Sequence, residues 1–164
     1  MKSGIFFDTS EIMAIQFSAA RIGGASQRNV TYAVRNAMRP VLAAAKKKAP
    51  YNKEKKVDDV HLRHSLLLKG ERNRRRGKKV YQVVVDPKKT DGIFAKISKV
   101  TGKRAYYPSS QEYGWRAPTK TGFKQIPGKH YLKDALTENE VQVARDIVDG
   151  VLENVEKEWK KKHG

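Results

Sequence analysis

A long helical pattern at the C-terminal end constrains the fold of this chain more than any other feature. From His130 or Tyr131 to about residue 162, apolar residues recur at three- and four-residue spacing. Glutamates also precede lysines by four positions, as at Glu156 and Lys160, which supports an isolated helix. We expect a helix over 130–162, long enough to reach beyond the core towards a neighbour. Its apolar stripe comprises Leu132, Ala135, Leu136, Val143, Ile147, Val151, Val155 and Trp159, thickened by Ala144, Val148 and Leu152.

The sequence predicts two shorter helices in the first fifty residues. Acidic residues in a capping-box arrangement precede a helical apolar pattern over about 9–22. A second helical pattern covers 27–49. Pro40 lies inside this second pattern and predicts a kink or break near Arg39, because proline lacks a backbone donor and crowds the preceding turn. Pro50 ends the pattern, since the residue before a proline avoids the helical conformation.

Short strands are predicted in the middle of the chain, within 62–113. A helical turn leads into the first, β-branched residues indicate the second, and two further apolar stretches follow. The expected positions are 61–68 for the turn and first strand, then 80–85, 93–97 and 106–113.

The segment 114–129 is rich in proline and glycine and is predicted to be a loop. Together these elements indicate one domain over 1–164 of the α+β class. We expect a small antiparallel sheet packed by the N-terminal helices and by one long C-terminal helix.

The chain is strongly basic, with a net charge of +18 and a pI of about 10.1. Residues 41–104 hold 20 basic and 6 acidic side chains, so most of the excess charge lies there. Such a charge concerns partners and not fold, and it favours a polyanion or an acidic protein surface. Apolar residues make up 38% of the chain, which predicts a thin core or a core shared with neighbours.

Two basic clusters are candidate contacts for nucleic acid or an acidic partner. The run over 72–79 can neutralise phosphates, although a solvated turn is an equal alternative. No aromatic residue interrupts it, so contact with the phosphate backbone is expected and sequence reading is not. The second cluster ends a helix, where lysines also complement the helix dipole. The candidates are Arg72, Arg74, Arg75, Arg76, Lys78 and Lys79, and Lys46, Lys47 and Lys48.

Nothing in the sequence predicts a cofactor, a metal site or an enzyme. The chain has no cysteine, and no apolar run is long enough for a membrane helix. Asp58, Asp59, His61 and His64 match no standard zinc spacing. Glu112 could act as a general acid, but no second acidic residue lies in its stretch. We therefore expect no catalytic residues and no metal.

Four short segments follow one another in an order typical of one protein family. They are 45–50 (AKKKAP), 61–66 (HLRHSL), Tyr107 with 112–114 (EYG), and 127–136 (PGKHYLKDAL). In this order they resemble the tail-completion and head–tail joining (neck) proteins of long-tailed phages, which include relatives of the lambda minor tail protein Z. The resemblance extends over about residues 27–160.

This resemblance implies a small α+β structural subunit that forms a ring, expected to be hexameric, at the neck or tail top. The ring would complete the tail so that it joins the DNA-filled head. The implied partners are further copies, other phage neck and tail proteins and the backbone of the genomic DNA in the channel, with no membrane. The implied location is the virion, after assembly in the host cytoplasm. Subunit contacts are expected at Glu112, Tyr113, Tyr131, Leu132 and Trp159.

A free basic protein that contacts the phosphate backbone of nucleic acid without sequence specificity is the alternative. This alternative depends on charge alone, because no helix-turn-helix, zinc-finger or RNA-binding sheet signature is present. Salt separates the two functions, since binding to phosphates weakens steeply as salt rises. Contacts of apolar surface within a ring should survive the same change.

Overall fold

A computed structural model describes residues 27–51, 61–70, 80–89, 93–97, 102 and 104–163. The fold is α+β, as the sequence predicts, with helices, short antiparallel strand pairs and one long C-terminal helix. The predicted helix over 9–22 lies outside the described residues. Among the described residues, the antiparallel strands form three separate two-stranded sheets.

The first two described helices are α1 (Gln27–Ala37) and α2 (Arg39–Lys48). Met38 forms a turn between them, and Pro40 lies in the first turn of α2, where its missing N–H costs least. The predicted break near Arg39 is therefore confirmed. Helical hydrogen bonding continues across the turn, from the N–H of Met38 to the carbonyl of Val34. The two helices are therefore joined end to end as one interrupted helical segment.

The core lies where α4 (Tyr131–His163) packs against α1 and α2. Small residues allow a close approach: a Cβ added to Gly150 would lie 3.2 Å from the Cβ of Ala33. Around this crossing the side chains are almost fully enclosed, so the thin core is concentrated in the three helices. The buried residues include Val30, Val34 and Val41 on the first two helices and Val143, Ile147 and Val151 on α4.

Helix α4 confirms the predicted length but divides its thick apolar stripe into two. The inner side faces α1 and α2 through Val143, Ile147 and Val151. On another side Val141, Leu152 and Trp159 keep about half or more of their surface in contact with solvent, at 66%, 50% and 49%. One packed partner covers only about a third of a helix circumference, so the second stripe is left outside the core.

A 3₁₀ turn (Leu62–Ser65) leads directly into β1 (Leu66–Gly70), which pairs antiparallel with β2 (Tyr81–Val85). This turn-to-strand order confirms the prediction for 61–68. The hairpin packs against α2 through Leu66 and Val83, both buried. A single helical turn (Pro87–Lys89) follows β2.

The second strand pair is short, with β3 (Ala95–Ile97) next to β4 (Arg104–Tyr106). The strand predicted over 106–113 is wrong beyond Tyr106, since α3 (Tyr107–Tyr113) follows it. Pro108 in the first turn favours the helix, because its ring fixes a helical φ and its missing donor is not needed there.

The loop predicted over 114–129 is also wrong. Here β5 (Gly114–Thr119) and β6 (Gly122–Pro127) form a regular antiparallel hairpin, which we call the arm. Proline is tolerated in it because a two-stranded hairpin has two free edges, where some N–H groups have no strand to bond. Proline content therefore indicates edge strands here, and not the absence of strands.

Candidate functional site

The arginine-rich run, with Arg72, Arg74, Arg75, Arg76, Lys78 and Lys79, lies outside the described residues. The residues on either side of it are informative, because Gly70 at the end of β1 pairs with Tyr81 at the start of β2. The two described residues that flank the run therefore lie opposite each other on paired strands. Contact of the run with phosphate or an acidic partner stays a prediction.

The second basic cluster, Lys46, Lys47 and Lys48, ends α2 as expected. Lys48 already has a partner within its own chain, since its Nζ lies 2.6 Å from Oε1 of Glu138 on α4. This hydrogen bond raises the pKa of the Lys48 ammonium. The pair joins α2 to α4, and Lys47 is the exposed member of the cluster.

An aromatic and basic cluster lies beside these lysines. The guanidinium of Arg63 stacks over the ring of Tyr51 at 4.7 Å and donates to the carbonyl of Lys47 at 3.2 Å. The rings of His61 and His64 lie 4.4 and 6.0 Å from that of Tyr51. The predicted AKKKAP and HLRHSL segments thus meet at one place, where Arg63 ties the end of α2 to the 3₁₀ turn.

The side chain of Glu112 caps the N-terminus of α4, although Glu112 belongs to another part of the chain. Its carboxylate accepts hydrogen bonds from the N–H of Leu132 at 2.8 Å and from that of Lys133 at 3.1 Å. These are the donors that a capping side chain normally satisfies at the start of a helix. His130, which stands at the capping position with φ 46°, leaves this role to Glu112. A negative charge here also complements the helix dipole.

Two glycines make this arrangement possible where the chain crosses itself. Gly114 has φ 86°, and a Cβ on it would overlap the carbonyl oxygen of Ile126 and lie 2.8 Å from the nitrogen of Gly128. A Cβ on Gly128 would overlap the carbonyl oxygen of Glu112. The N–H of Lys129 donates to the carbonyl of Gln111 at 2.7 Å across the crossing. We call this crossing, with the Glu112 cap, the joint.

The joint corrects most of the expected subunit contacts. Glu112, Tyr131 and Leu132 are only 3%, 1% and 5% exposed, so they are enclosed by their own chain and do not form a surface for a neighbour. Burial of Tyr131, with the nearby charge of Glu112, raises the pKa of its hydroxyl. Tyr113 and Trp159 are 63% and 49% exposed, so contact through them stays a prediction.

The arm extends from the joint with both of its faces largely open. Trp115 and Phe123 are exposed, with cationic side chains at Arg116 and Lys124 between them along the strands. From 113 to 130 the chain contains four lysines or arginines and no acidic residue. Aromatic rings interleaved with cations, which the arginine-rich run lacks, therefore occur here. The absence of acidic residues from this segment was the signal in the sequence.

The described part of the chain holds no group of three or more metal-binding side chains. Within the same residues no helix is both long and apolar enough to cross a membrane. Comparison with protein-family models, curated proteins and solved structures finds no match. The arrangement of the joint, the arm and α4 must therefore be interpreted from its own chemistry.

Proposed function

We propose that this protein is a non-enzymatic structural subunit of a tailed-phage particle. It acts in a ring, expected to have six copies, at the head–tail junction or tail top. There it completes the tail and joins it to the DNA-filled head. Its partners are further copies of the chain, other neck and tail proteins and the backbone of the genomic DNA, and its location is the virion.

The observation that carries this proposal is the joint. Two of the segments on which the phage resemblance depends, 112–114 and 127–136, are separated in sequence by the arm and meet there. Their polar residues satisfy helix donors and their glycines permit a backbone crossing. These residues therefore hold the arm and α4 in a fixed relation to each other. A fixed relation between two exposed elements suits a subunit of an assembly.

The exposed surface gives further support. The chain leaves large apolar side chains open on the arm and on α4, including Phe123 at 68% and Val141 at 66%. Large apolar side chains that stay exposed on two elements suit a protein that buries more surface on association. The basic middle segment suits a channel through which DNA passes with backbone contacts alone.

A free nucleic-acid-binding protein is the competing function, and the arm favours it. Single-stranded nucleic acids bind grooves where aromatic rings stack on bases and cations contact phosphates. Trp115 and Phe123 with Arg116 and Lys124 supply both kinds of group. The arm alone does not distinguish the two functions.

Light scattering at low and high salt, with and without a short DNA duplex, tests the proposal. We expect a discrete oligomer of fixed mass in both salts, unaffected by DNA, and ring-shaped particles by electron microscopy. Apolar contacts survive added salt, whereas phosphate contacts weaken steeply. A monomer that binds DNA only at low salt would favour the competing function. A monomer indifferent to DNA and unable to assemble on phage tails would contradict both.

A further inference from the structure

The arm has little packing of its own beyond its base. Its strands contact each other and α3, and the side chains on both of its faces are mostly exposed. An isolated two-stranded hairpin is only marginally stable in water. Pro118 and Phe123 pair directly across the strands, so they form an apolar patch on one face near the turn. The stability of such a hairpin increases when another surface covers its apolar side chains.

Helix α4 offers a surface with the opposite charge. Its residues 134–156 contain seven acidic side chains and one arginine, in a protein whose net charge is +18. The arm, with four basic and no acidic side chains over 113–130, is therefore complementary to it. Complementary charge steers two surfaces together and fixes their register.

The acidic residues lie beside the second apolar stripe of α4. Val141, Val148, Leu152 and Trp159 are separated by seven, four and seven residues, which returns each to the same side of a helix. Glu138, Arg145, Asp149 and Glu156 each precede a member of this stripe by three residues and so neighbour it on the surface. Because Glu138 and Glu156 form ion pairs with Lys48 and Lys160, Asp149 is the acidic neighbour that offers charge to a cation of the arm. We call this side, apolar along its centre and acidic along its flank, the outer face of α4.

We propose that the arm of one copy lies on the outer face of α4 of a second copy. The inference rests on the proposed function, because it names the contact by which copies associate. The face of the arm that carries Pro118 and Phe123 covers the apolar stripe. Arg116 lies on the same face of the arm and approaches Asp149 beside the stripe. Six residues per strand extend about 20 Å, which matches about four turns of helix.

The contact is head-to-tail, because the arm and the outer face are different surfaces of one chain. Each copy therefore offers one arm and one outer face, and repetition of the contact closes into a ring or continues as a filament. The joint fixes the arm at the start of α4, so it sets the angle at which each copy meets the next. A ring forms when this angle lets the last copy meet the first.

Site-directed crosslinking tests this contact cleanly, because the chain has no cysteine. One variant carries Phe123→Cys on the arm and another carries Leu152→Cys on the outer face; both side chains are exposed, at 68% and 50%. The two are mixed and treated with a short bifunctional maleimide. We expect a crosslinked heterodimer in several-fold excess over the control pair Tyr32→Cys with Leu152→Cys. Tyr32 is a good control because it is 59% exposed on α1.

A second variant separates this inference from the proposed function. Phe123→Asp should weaken self-association roughly tenfold or more, as expected when one aromatic anchor is removed, while Tyr32→Asp should not. Circular dichroism should show that both variants remain folded. If the parent chain forms a discrete oligomer that Phe123→Asp leaves intact, and no specific crosslink forms, the inference is wrong and the proposed function stands. Specific crosslinks from a chain that is monomeric in dilute solution support the contact without supporting a ring.

The nucleic-acid alternative has its own signature. If Phe123→Asp abolishes binding to a single-stranded oligonucleotide while the crosslink between residues 123 and 152 stays at the control level, the arm is a nucleic-acid contact. This outcome overturns the inference. Crosslinking that persists at high salt and is not displaced by the oligonucleotide supports it.

Discussion

Glu112 shows how one residue can serve a helix from a distance. A helix usually takes its cap from the residue just before it, but here the carboxylate comes from 20 residues earlier in the chain. The sequence suggested Glu112 only as a general acid without a partner, and the phage resemblance implied a subunit contact. Sequence spacing cannot reveal that Glu112 meets Leu132, because the meeting depends on the hairpin between them.

Replacement of Glu112 tests this capping role. Glu112→Ala leaves the buried N–H of Leu132 and the part-buried N–H of Lys133 without their acceptor, so we expect the free energy of unfolding to fall by about 3 kcal/mol. Glu112→Gln, which keeps one acceptor, should lose about half as much. The exposed residue Glu140 is the control, and Glu140→Ala should change stability by less than about 0.5 kcal/mol. Urea unfolding gives all three values, and equal effects of Glu112→Ala and Glu140→Ala would refute the cap.

The buried hydroxyl of Tyr131 should make the folded chain less stable at alkaline pH. Its burial raises the pKa of the hydroxyl above the ordinary value of 10.0, so the unfolded chain gives up this proton before the folded chain does. The contribution to stability is therefore complete below about pH 10 and is lost as the pH rises above that value. Tyr131→Phe removes the ionisable group. Between about pH 9 and about pH 11, the free energy of unfolding of this variant should fall by about 1 kcal/mol less than that of the parent chain.

Urea unfolding over this pH range measures the difference. The exposed Tyr32 supplies the control, and Tyr32→Phe should follow the parent curve. Parallel curves for Tyr131→Phe and the parent would show that the hydroxyl of Tyr131 ionises equally well in the folded chain.

At the scale of elements, helices were easier to predict than the arm. The length of α4 and the break before Pro40 follow from spacing and from one missing donor, which are local properties. The arm was mistaken for a loop because Pro118 and Pro127 were counted against a strand. The rule against proline holds for central strands, and a sequence does not reveal whether a strand will have neighbours.

The joint can be tested by comparing two glycines of the same hairpin. Gly114 and Gly122 both have positive φ, but a Cβ would overlap backbone only at Gly114, since nothing lies within 4 Å at Gly122. We expect Gly114→Ala to lower the free energy of unfolding by about 2 kcal/mol more than Gly122→Ala does. Thermal or urea unfolding provides the comparison. Equal losses would mean that backbone conformation alone, and not the crossing, makes Gly114 necessary.

For the whole molecule, composition predicted a thin core and an unequal distribution of charge. The structure places the enclosed side chains mainly between three helices, and it keeps an acidic helix in a basic chain. The sequence pattern could not predict that α4 has two separate apolar stripes, because the apolar residues lie too close together on a helical projection. Which of them face inward depends on the angle at which α1 crosses at Gly150.

The crossing at Gly114 and Gly128 has a consequence for how such a chain could diverge. The chain enters and leaves the arm at adjacent backbone positions. Residues 115–127 could therefore be replaced or removed while the helices keep their positions. Evolution could lengthen, shorten or exchange this segment without disturbing the helices. An engineer could replace it with a short linker, or graft another hairpin there. Partner choice could then change independently of folding, and related chains would differ most in this segment and least in the residues that hold its base.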